Sequence, residues 1–332
     1  MINNYNVIEL SKWEGRVDSE DDFDSFRWHQ WVDILDLSDS ELQPFKGKLG
    51  FVFLGFKSDV GVKFNKGRTG AAKGPDSIRS ELKNLPCQFS KEISLFDAGD
   101  ISCLDDNLEE AQEALSIAVQ KILDLNLFPI LLGGGHEIAF GHYKGILKHL
   151  KSIGEEKNIG IINFDAHFDL RSNSNGGTSG TMFKQISDLT DEEDINYSYF
   201  CIGIQKSGNT VSLFNTAHEL GVDYILAKDM ISIDYYPMME KLDDFMKKQD
   251  HIYITICSDV FSSAFAPGVS APQPLGLDPE KGLIFLKYIL RANKTISFDI
   301  AEVSPRFDKD HTTANLASII IFTVINTLSK IM

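Results

Sequence analysis

Ile159–Phe164 reads I-G-I-I-N-F, and it breaks off at once into Asp165-Ala166-His167-Phe168-Asp169. A short apolar run of this kind is the pattern of a buried strand. The three metal-capable side chains after it, Asp165, His167 and Asp169, sit two residues apart. In an extended segment that spacing points all three to one side. Carboxylate oxygens and an imidazole nitrogen on one face suit a divalent cation such as Mn²⁺. Polar loops after strands carry acids and histidines for other reasons too, so the motif alone leaves both readings open.

The rest of the chain repeats the strand-then-helix rhythm. Strand patterns cover Leu49–Leu54, Ser94–Phe96, Phe128–Leu132, Tyr199–Ile204, Tyr224–Leu226, Ile252–Cys257 and Thr295–Ile300. Helical periodicity covers Asn107–Leu125, Ala139–Lys151, Pro237–Gln249, Leu277–Ala292 and Thr313–Lys330, and Pro75 fits the first turn of another helix. Strands alternating with helices predict an α/β fold: three layers, α/β/α, around a mostly parallel sheet. In such sheets the site lies beyond the carboxyl ends of the strands. Residues 1–45 are polar but carry Trp13, Trp28 and Trp31, which suits an extension pinned to the body by its aromatics. Residues 46–332 then read as a single domain.

Charge narrows the partners. A net charge of −16 disfavours nucleic acid and anionic membrane, both of which demand basic surface. The most apolar run, Leu316–Val324, is short for a bilayer span. No secretory leader pattern is visible, and Cys87, Cys103, Cys201 and Cys257 lack zinc-finger or disulfide-framework spacing. The expectation is a cytoplasmic protein acting on a small molecule.

Four strand ends carry candidate chemistry: His136 after Gly133-Gly134-Gly135; the Asp165–Asp169 cluster; Cys257 with Asp259; and Glu302. Two histidines and three or four acids exceed what one ion needs and suit two cations that share carboxylates. The triple glycine would let backbone approach the site closely. Two familiar motifs fail. Position 140 is Phe, so His136-Glu137 does not open H-E-x-x-H; the Gly67–Arg79 loop matches neither phosphate-binding glycine spacing. His29, His142, His149, His218, His251 and His311 show no ligand spacing and read as surface or structural residues.

Together these residues resemble the arginase, agmatinase and formimidoylglutamase family of binuclear manganese hydrolases. The resemblance covers nearly the whole chain. It rests on W-E-G-R-V-D from Trp13, R-W-H-Q from Arg27, G-R-T-G-A-A-K-G-P-D-S-I-R from Gly67, and G-G-G-H-E. It continues with N-F-D-A-H-F-D-L-R, S-G-T-M-F, A-P-G-V-S-A-P from Ala266 and D-I-A-E-V-S-P-R-F-D from Asp299. What it implies is hydrolysis of a C–N bond at an amidine carbon by metal-bound hydroxide, with two Mn²⁺ expected. One ion or a different metal stays possible.

By the same resemblance His136 and Asp169 serve one metal, His167 and Asp259 the other, and Asp165 bridges. Asp259 also stabilises the tetrahedral intermediate, and Glu302 pairs with the cationic guanidinium or formimino group. Arg171 and Ser179 sit in loops that contact the amino-acid end of the substrate; a surface salt bridge is the competing use of Arg171. Relatives often form trimers or hexamers, so a homo-oligomer is possible. Arginases carry a His shortly after the S-G of the substrate loop, whereas Thr181, Met182 and Phe183 follow Gly180 here. That favours the formimidoylglutamase branch, which splits N-formimidoyl-L-glutamate into glutamate and formamide during histidine degradation.

One position departs from the family. Its D-x-D at this strand end reads Cys257-Ser258-Asp259, with sulfur where the bridging carboxylate belongs. Cys257 is either a soft ligand or a small buried residue ending a strand. The alternatives to the formimidoyl reading are an arginase- or agmatinase-type guanidino hydrolase and a non-catalytic relative with an impaired metal site.

Overall fold

The computed structural model describes residues 2–154, 158–231 and 234–331, and among these it shows ten strands in one sheet. The strands are β1 (Tyr5–Asn6), β2 (Val32–Ile34), β3 (Leu49–Lys57), β4 (Ile93–Ser102) and β5 (Phe128–Leu132), followed by β6 (Ile159–Phe164), β7 (Tyr199–Ile204), β8 (Asp223–Leu226), β9 (His251–Cys257) and β10 (Thr295–Ala301). The helices are α1 (Val60–Phe64), α2 (Gly74–Leu82), α3 (Leu108–Asp124), α4 (Ile138–Ser152), α5 (Met182–Glu192), α6 (Val211–Glu219), α7 (Tyr236–Met246), α8 (Pro279–Arg291) and α9 (Thr312–Leu328).

Strand side chains alternate between two cores. Phe51, Phe53, Ile162, Phe164, Ile254 and Ile256 face α2, α7, α8 and α9. Val52, Leu54, Ile161 and Tyr253 face α3, α4, α5 and α6. A period-2 strand with both faces apolar has to be covered twice, and that requirement produces the three layers. The strand order is β1-β4-β3-β5-β10-β9-β6-β7-β8, with β2 also on β4. Every pairing is parallel except β1 on β4 at the edge.

The three N-terminal tryptophans sit against the body. Trp13 and Trp28 stack on Phe53 at centroid distances of 5.7 and 5.9 Å, and Trp31 donates its indole N–H to the Ile93 carbonyl at 2.7 Å. Beyond this packing, the segment adds β1 and β2 to the outer edge of β4. Strand β4 runs well past the expected Ser94–Phe96, because the acids that read as a stop are neutralised. Buried Arg79 reaches Asp97 at 2.7 Å and Asp100 at 2.6 Å. Periodicity leaves residues 182–192 and 211–219 unassigned; both are helices, capped in the second case by Thr210. The helical stretch Lys309–Leu328, which runs into α9 and contains the Leu316–Val324 run, is by length and composition apolar enough to cross a bilayer. Here Ala314, Ala317, Ile320, Ile321, Val324 and Leu328 are buried in the first core, as in a core helix.

Candidate metal centre

The four strand ends singled out in the sequence belong to β5, β10, β9 and β6, which are consecutive in the sheet. Parallel pairing aligns their carboxyl ends, so His136, Glu302, Cys257 with Asp259, and the Asp165–Asp169 loop all emerge on one edge. They border a cavity of about 290 Å³ together with Arg171 and Ser179; of the predicted site residues only Asp165, fully buried, does not line it.

His136 Nδ1 lies 3.0 Å from Asp165 Oδ2 and 3.1 Å from Asp169 Oδ2. His167 Nδ1 lies 3.2 Å from Asp259 Oδ2 and 3.5 Å from Asp165 Oδ1. Two overlapping triads result: His136, Asp165 and Cys257, and Asp165, His167 and Asp259, with the ligand atoms of each triad within 4.8 Å of one another. Asp165 belongs to both. Glu302 accepts from the His136 backbone N–H at 3.0 Å. Its Oε2 and Asp259 Oδ1 are buried with no hydrogen-bond partner among the described residues.

The expected extended geometry of residues 165–169 does not hold. Asp165 Oδ1 accepts the His167 N–H at 2.8 Å, which makes a tight turn, and Asp169 has a φ of 49°. Asp165 and Asp169 thereby face His136, while His167 swings to Asp259. Asn209 pins this turn, accepting from Phe168 N at 3.0 Å and donating to the Ala166 carbonyl at 2.9 Å. Glu302 also has a positive φ, 66°. Left-handed backbone at non-glycine residues costs free energy and persists where the surroundings hold it.

The glycines of this loop allow close backbone approach. The backbone that approaches Gly134 belongs to neighbouring strand ends: a Cβ there would sit 1.8 Å from the Ser58 carbonyl oxygen and 2.8 Å from that of Phe56. Gly134 and Gly133 dock the His136 loop on the ends of β3 and β10.

The protonation tendencies describe a site short of positive charge. At His136 burial works against the cation, but hydrogen bonds to Asp165 and Asp169 hold its pKa well above the ordinary value. His167, against the same burial, is pushed up to about 12 by Asp259 and Asp165. Burial first, and then the Asp165 charge, pushes Asp169 up to about 6. Burial, followed by the Glu137 charge, raises Glu302 well above the carboxylate range. Crowded buried acids with unpartnered oxygens are what a divalent cation neutralises, and two imidazoles complete a fitting donor set. The sulfur is the exception. Burial and the charges of Asp165, Asp259 and Glu302 hold the Cys257 thiol well above its ordinary range. A nearby cation inverts that logic and favours the thiolate.

Arg171 is exposed, and among the described residues it has no acidic partner. Its backbone N–H closes the 171–180 loop on the Gly180 carbonyl at 2.9 Å. Ser179 Oγ receives the Asn65 amide at 3.4 Å. Met182 and Phe183, which stand where a catalytic His is absent, are fully buried, and Phe183 stacks on Tyr199 at 4.4 Å. Sequence reasoning missed Asn209, Asn65 and Thr255. Each is an ordinary polar residue in a strand or loop, and no spacing marks it.

A sequence model of the arginase family matches residues 50–326. The chain belongs to the arginase family. Among curated arginase-family relatives, formimidoylglutamase of Clostridium tetani (strain Massachusetts / E88) is 61% identical over 329 residues, covering 99% of this chain and 97% of that one. Formimidoylglutamase of Geobacillus sp. (strain WCH70) is 43% identical over 314 residues, 95% of this chain and 94% of the relative. The fold matches the crystal structure of formimidoylglutamase from Bacillus subtilis subsp. subtilis str. 168 with a TM-score of 0.79 at 24% identity, over 95% of this chain and 96% of that one. Trypanosoma cruzi formiminoglutamase with Mn²⁺ matches with a TM-score of 0.74 at 24% identity, over 85% and 94%.

Proposed function

We infer that this chain is a manganese-dependent hydrolase that splits N-formimidoyl-L-glutamate into glutamate and formamide. The observation that carries the reading is the 61% identity to a formimidoylglutamase along nearly the full length of both chains. The absence of a His at positions 181–183 agrees with it.

We assign His136, Asp165, Asp169 and Cys257 to one ion and Asp165, His167 and Asp259 to a second. When bound, manganese supplies Lewis acidity and lowers the pKa of water. The protein's own groups do the positioning. The free oxygen of Glu302 accepts from the formimino nitrogen, a charge-assisted hydrogen bond that orients the amidine. The free oxygen of Asp259 faces the same cavity and stabilises the tetrahedral carbon through its nitrogen substituents. Arg171 and Ser179 hold the glutamate end. Water oxygen bonds to the formimidoyl carbon, the bond from that carbon to the glutamate nitrogen breaks, and this nitrogen leaves as the amine after gaining a proton. The carbon departs as formamide. Cytoplasmic location, a homo-oligomer and an N-terminal extension over residues 1–45 packed on the body belong to the same proposal and rest on the family and the sequence.

The test is a product assay with Mn²⁺ on N-formimidoyl-L-glutamate, arginine and agmatine. Glutamate and formamide from the first, with no urea from the others, is the expected result. Urea would move the chain to the guanidino branch. Failure on all three with Mn²⁺, Zn²⁺, Ni²⁺ and Fe²⁺ alike would make it a non-catalytic relative.

A further inference from the structure

Beneath the site runs a line of buried polar groups that the sequence does not announce. His142 on α4 and Asp299 on β10 are both fully buried, with Nδ1 2.6 Å from Oδ2. Tyr253 donates its hydroxyl to the same Asp299 oxygen. Thr255 donates its hydroxyl to the other one, Oδ1, at 2.6 Å. The Thr255 oxygen in turn lies 3.0 Å from His136 Nε2. Ser297 closes the far end against His142 Nε2. His142, Tyr253, Thr255, Ser297 and Asp299 do not line the cavity, so the reaction itself makes no use of them.

Hydrogen counting gives this line a direction. A carboxylate only accepts, so the single hydrogen of Thr255 is committed to Asp299. What Thr255 then offers His136 is a lone pair, and Nε2 has to donate to it. An imidazole that ligates a metal is neutral and carries one hydrogen, which here leaves Nδ1 bare. Nδ1 is the atom that faces Asp165 and Asp169, and a metal-ligating nitrogen has to be bare. We propose that Asp299, anchored by His142 and Tyr253, orients the Thr255 hydroxyl so that His136 presents an unprotonated Nδ1 to the metal. These are positioning residues acting through His136, and the proposal rests on the assignment of His136 as a ligand.

The experiment compares Thr255→Val, Thr255→Ser, Asp299→Asn and His136→Ala with wild type, each stripped of metal, titrated with Mn²⁺ by calorimetry and melted without metal. Val keeps the side-chain volume and loses the hydroxyl; Ser does the reverse. Mn²⁺ affinity is expected to fall by roughly 10- to 100-fold in Thr255→Val, the range for an outer partner of a ligand, and to stay near wild type in Thr255→Ser. Asp299→Asn, which can donate to Thr255 and reverse the line, is expected to weaken Mn²⁺ binding to a similar degree. It also serves as the test should Thr255→Val fail to fold. Affinity within twofold of wild type in both Thr255→Val and Asp299→Asn overturns the proposal, whatever happens to the melting temperature. Equal losses in Val and Ser overturn it too, because the hydroxyl would then not be the determinant. If His136→Ala binds Mn²⁺ as wild type does, the assignment of His136 as a ligand is what has failed.

Discussion

His136 Nδ1 and Asp165 Oδ2 are 3.0 Å apart, yet the strands that carry them, β5 and β6, are separated in the sheet by β10 and β9. Three strand spacings amount to about 14 Å. The two loops therefore lean inward over the ends of the intervening strands, and Cys257 and Glu302 rise between them. That lean gathers acids from three strand ends around two imidazoles.

Replacing Cys257 tests the role of its sulfur. Cys257→Asp is expected to raise Mn²⁺ affinity and the manganese content per chain after dialysis, because an oxygen donor suits Mn²⁺ better than sulfur. Wild-type and variant content measured side by side by atomic absorption decides it. Equal content would leave Cys257 as a residue that merely ends β9.

Gly134→Ala is expected to destabilise the protein by about 1–3 kcal/mol or more, since the added methyl meets backbone oxygens that cannot move aside. Manganese content should fall with it, because His136 lies two residues further along the same loop. Urea unfolding and metal analysis are the measurements. A variant with wild-type stability would show that the loop can undock from β3.

Arg79→Leu strands the buried carboxylate of Asp97 and leaves Asp100 to Lys57, 2.8 Å away. Arg79 binds Asp97 at 2.7 Å and Asp100 at 2.6 Å, and it also donates to the Gly99 carbonyl at 2.8 Å. Breaking a buried pair from one side costs about 3–5 kcal/mol. Chemical denaturation of Arg79→Leu should show a loss of that size; a loss under about 1 kcal/mol, the worth of an exposed pair, would mean that water reaches Asp97.

Glu113 on α3 sets a pH dependence. Burial alone would raise its pKa, but Lys144 and Lys148 on α4 outweigh it and hold the carboxyl below its ordinary value of 4.5. A depressed pKa stabilises the fold fully above the unfolded value and loses that contribution as pH falls through the lower folded value. The side chain is 45% exposed, so the contribution is about 0.2–1 kcal/mol and is screened by salt. The melting temperature of Glu113→Gln should trail wild type at pH 7 and converge on it as the pH drops below 4.5. A gap independent of pH would assign the effect to packing.

Much of this protein is written locally. Hydrophobic period and glycine or proline punctuation are properties of neighbouring residues, so β5, β6, β7 and α3 can be read from the chain to within a residue or two. The donor residues are also legible, because D-A-H-F-D, G-G-G-H-E and C-S-D each stand at the end of an apolar run. What the order of residues leaves open is which strand lies beside which. Strand order depends on how the crossover helices pack, a long-range balance of burial on two faces, and only that order makes β5, β10, β9 and β6 adjacent. The same holds for β4. Its acids look like a stop until Arg79 of α2 folds over them. The turn at Asp165–Asp169 and the line from His142 to His136 were likewise decided in three dimensions. Side-chain hydrogen bonds between distant segments leave no period in the sequence, so the sequence determined which donors the chain has, and the tertiary structure decided which of them come together and which nitrogen of His136 faces Asp165 and Asp169.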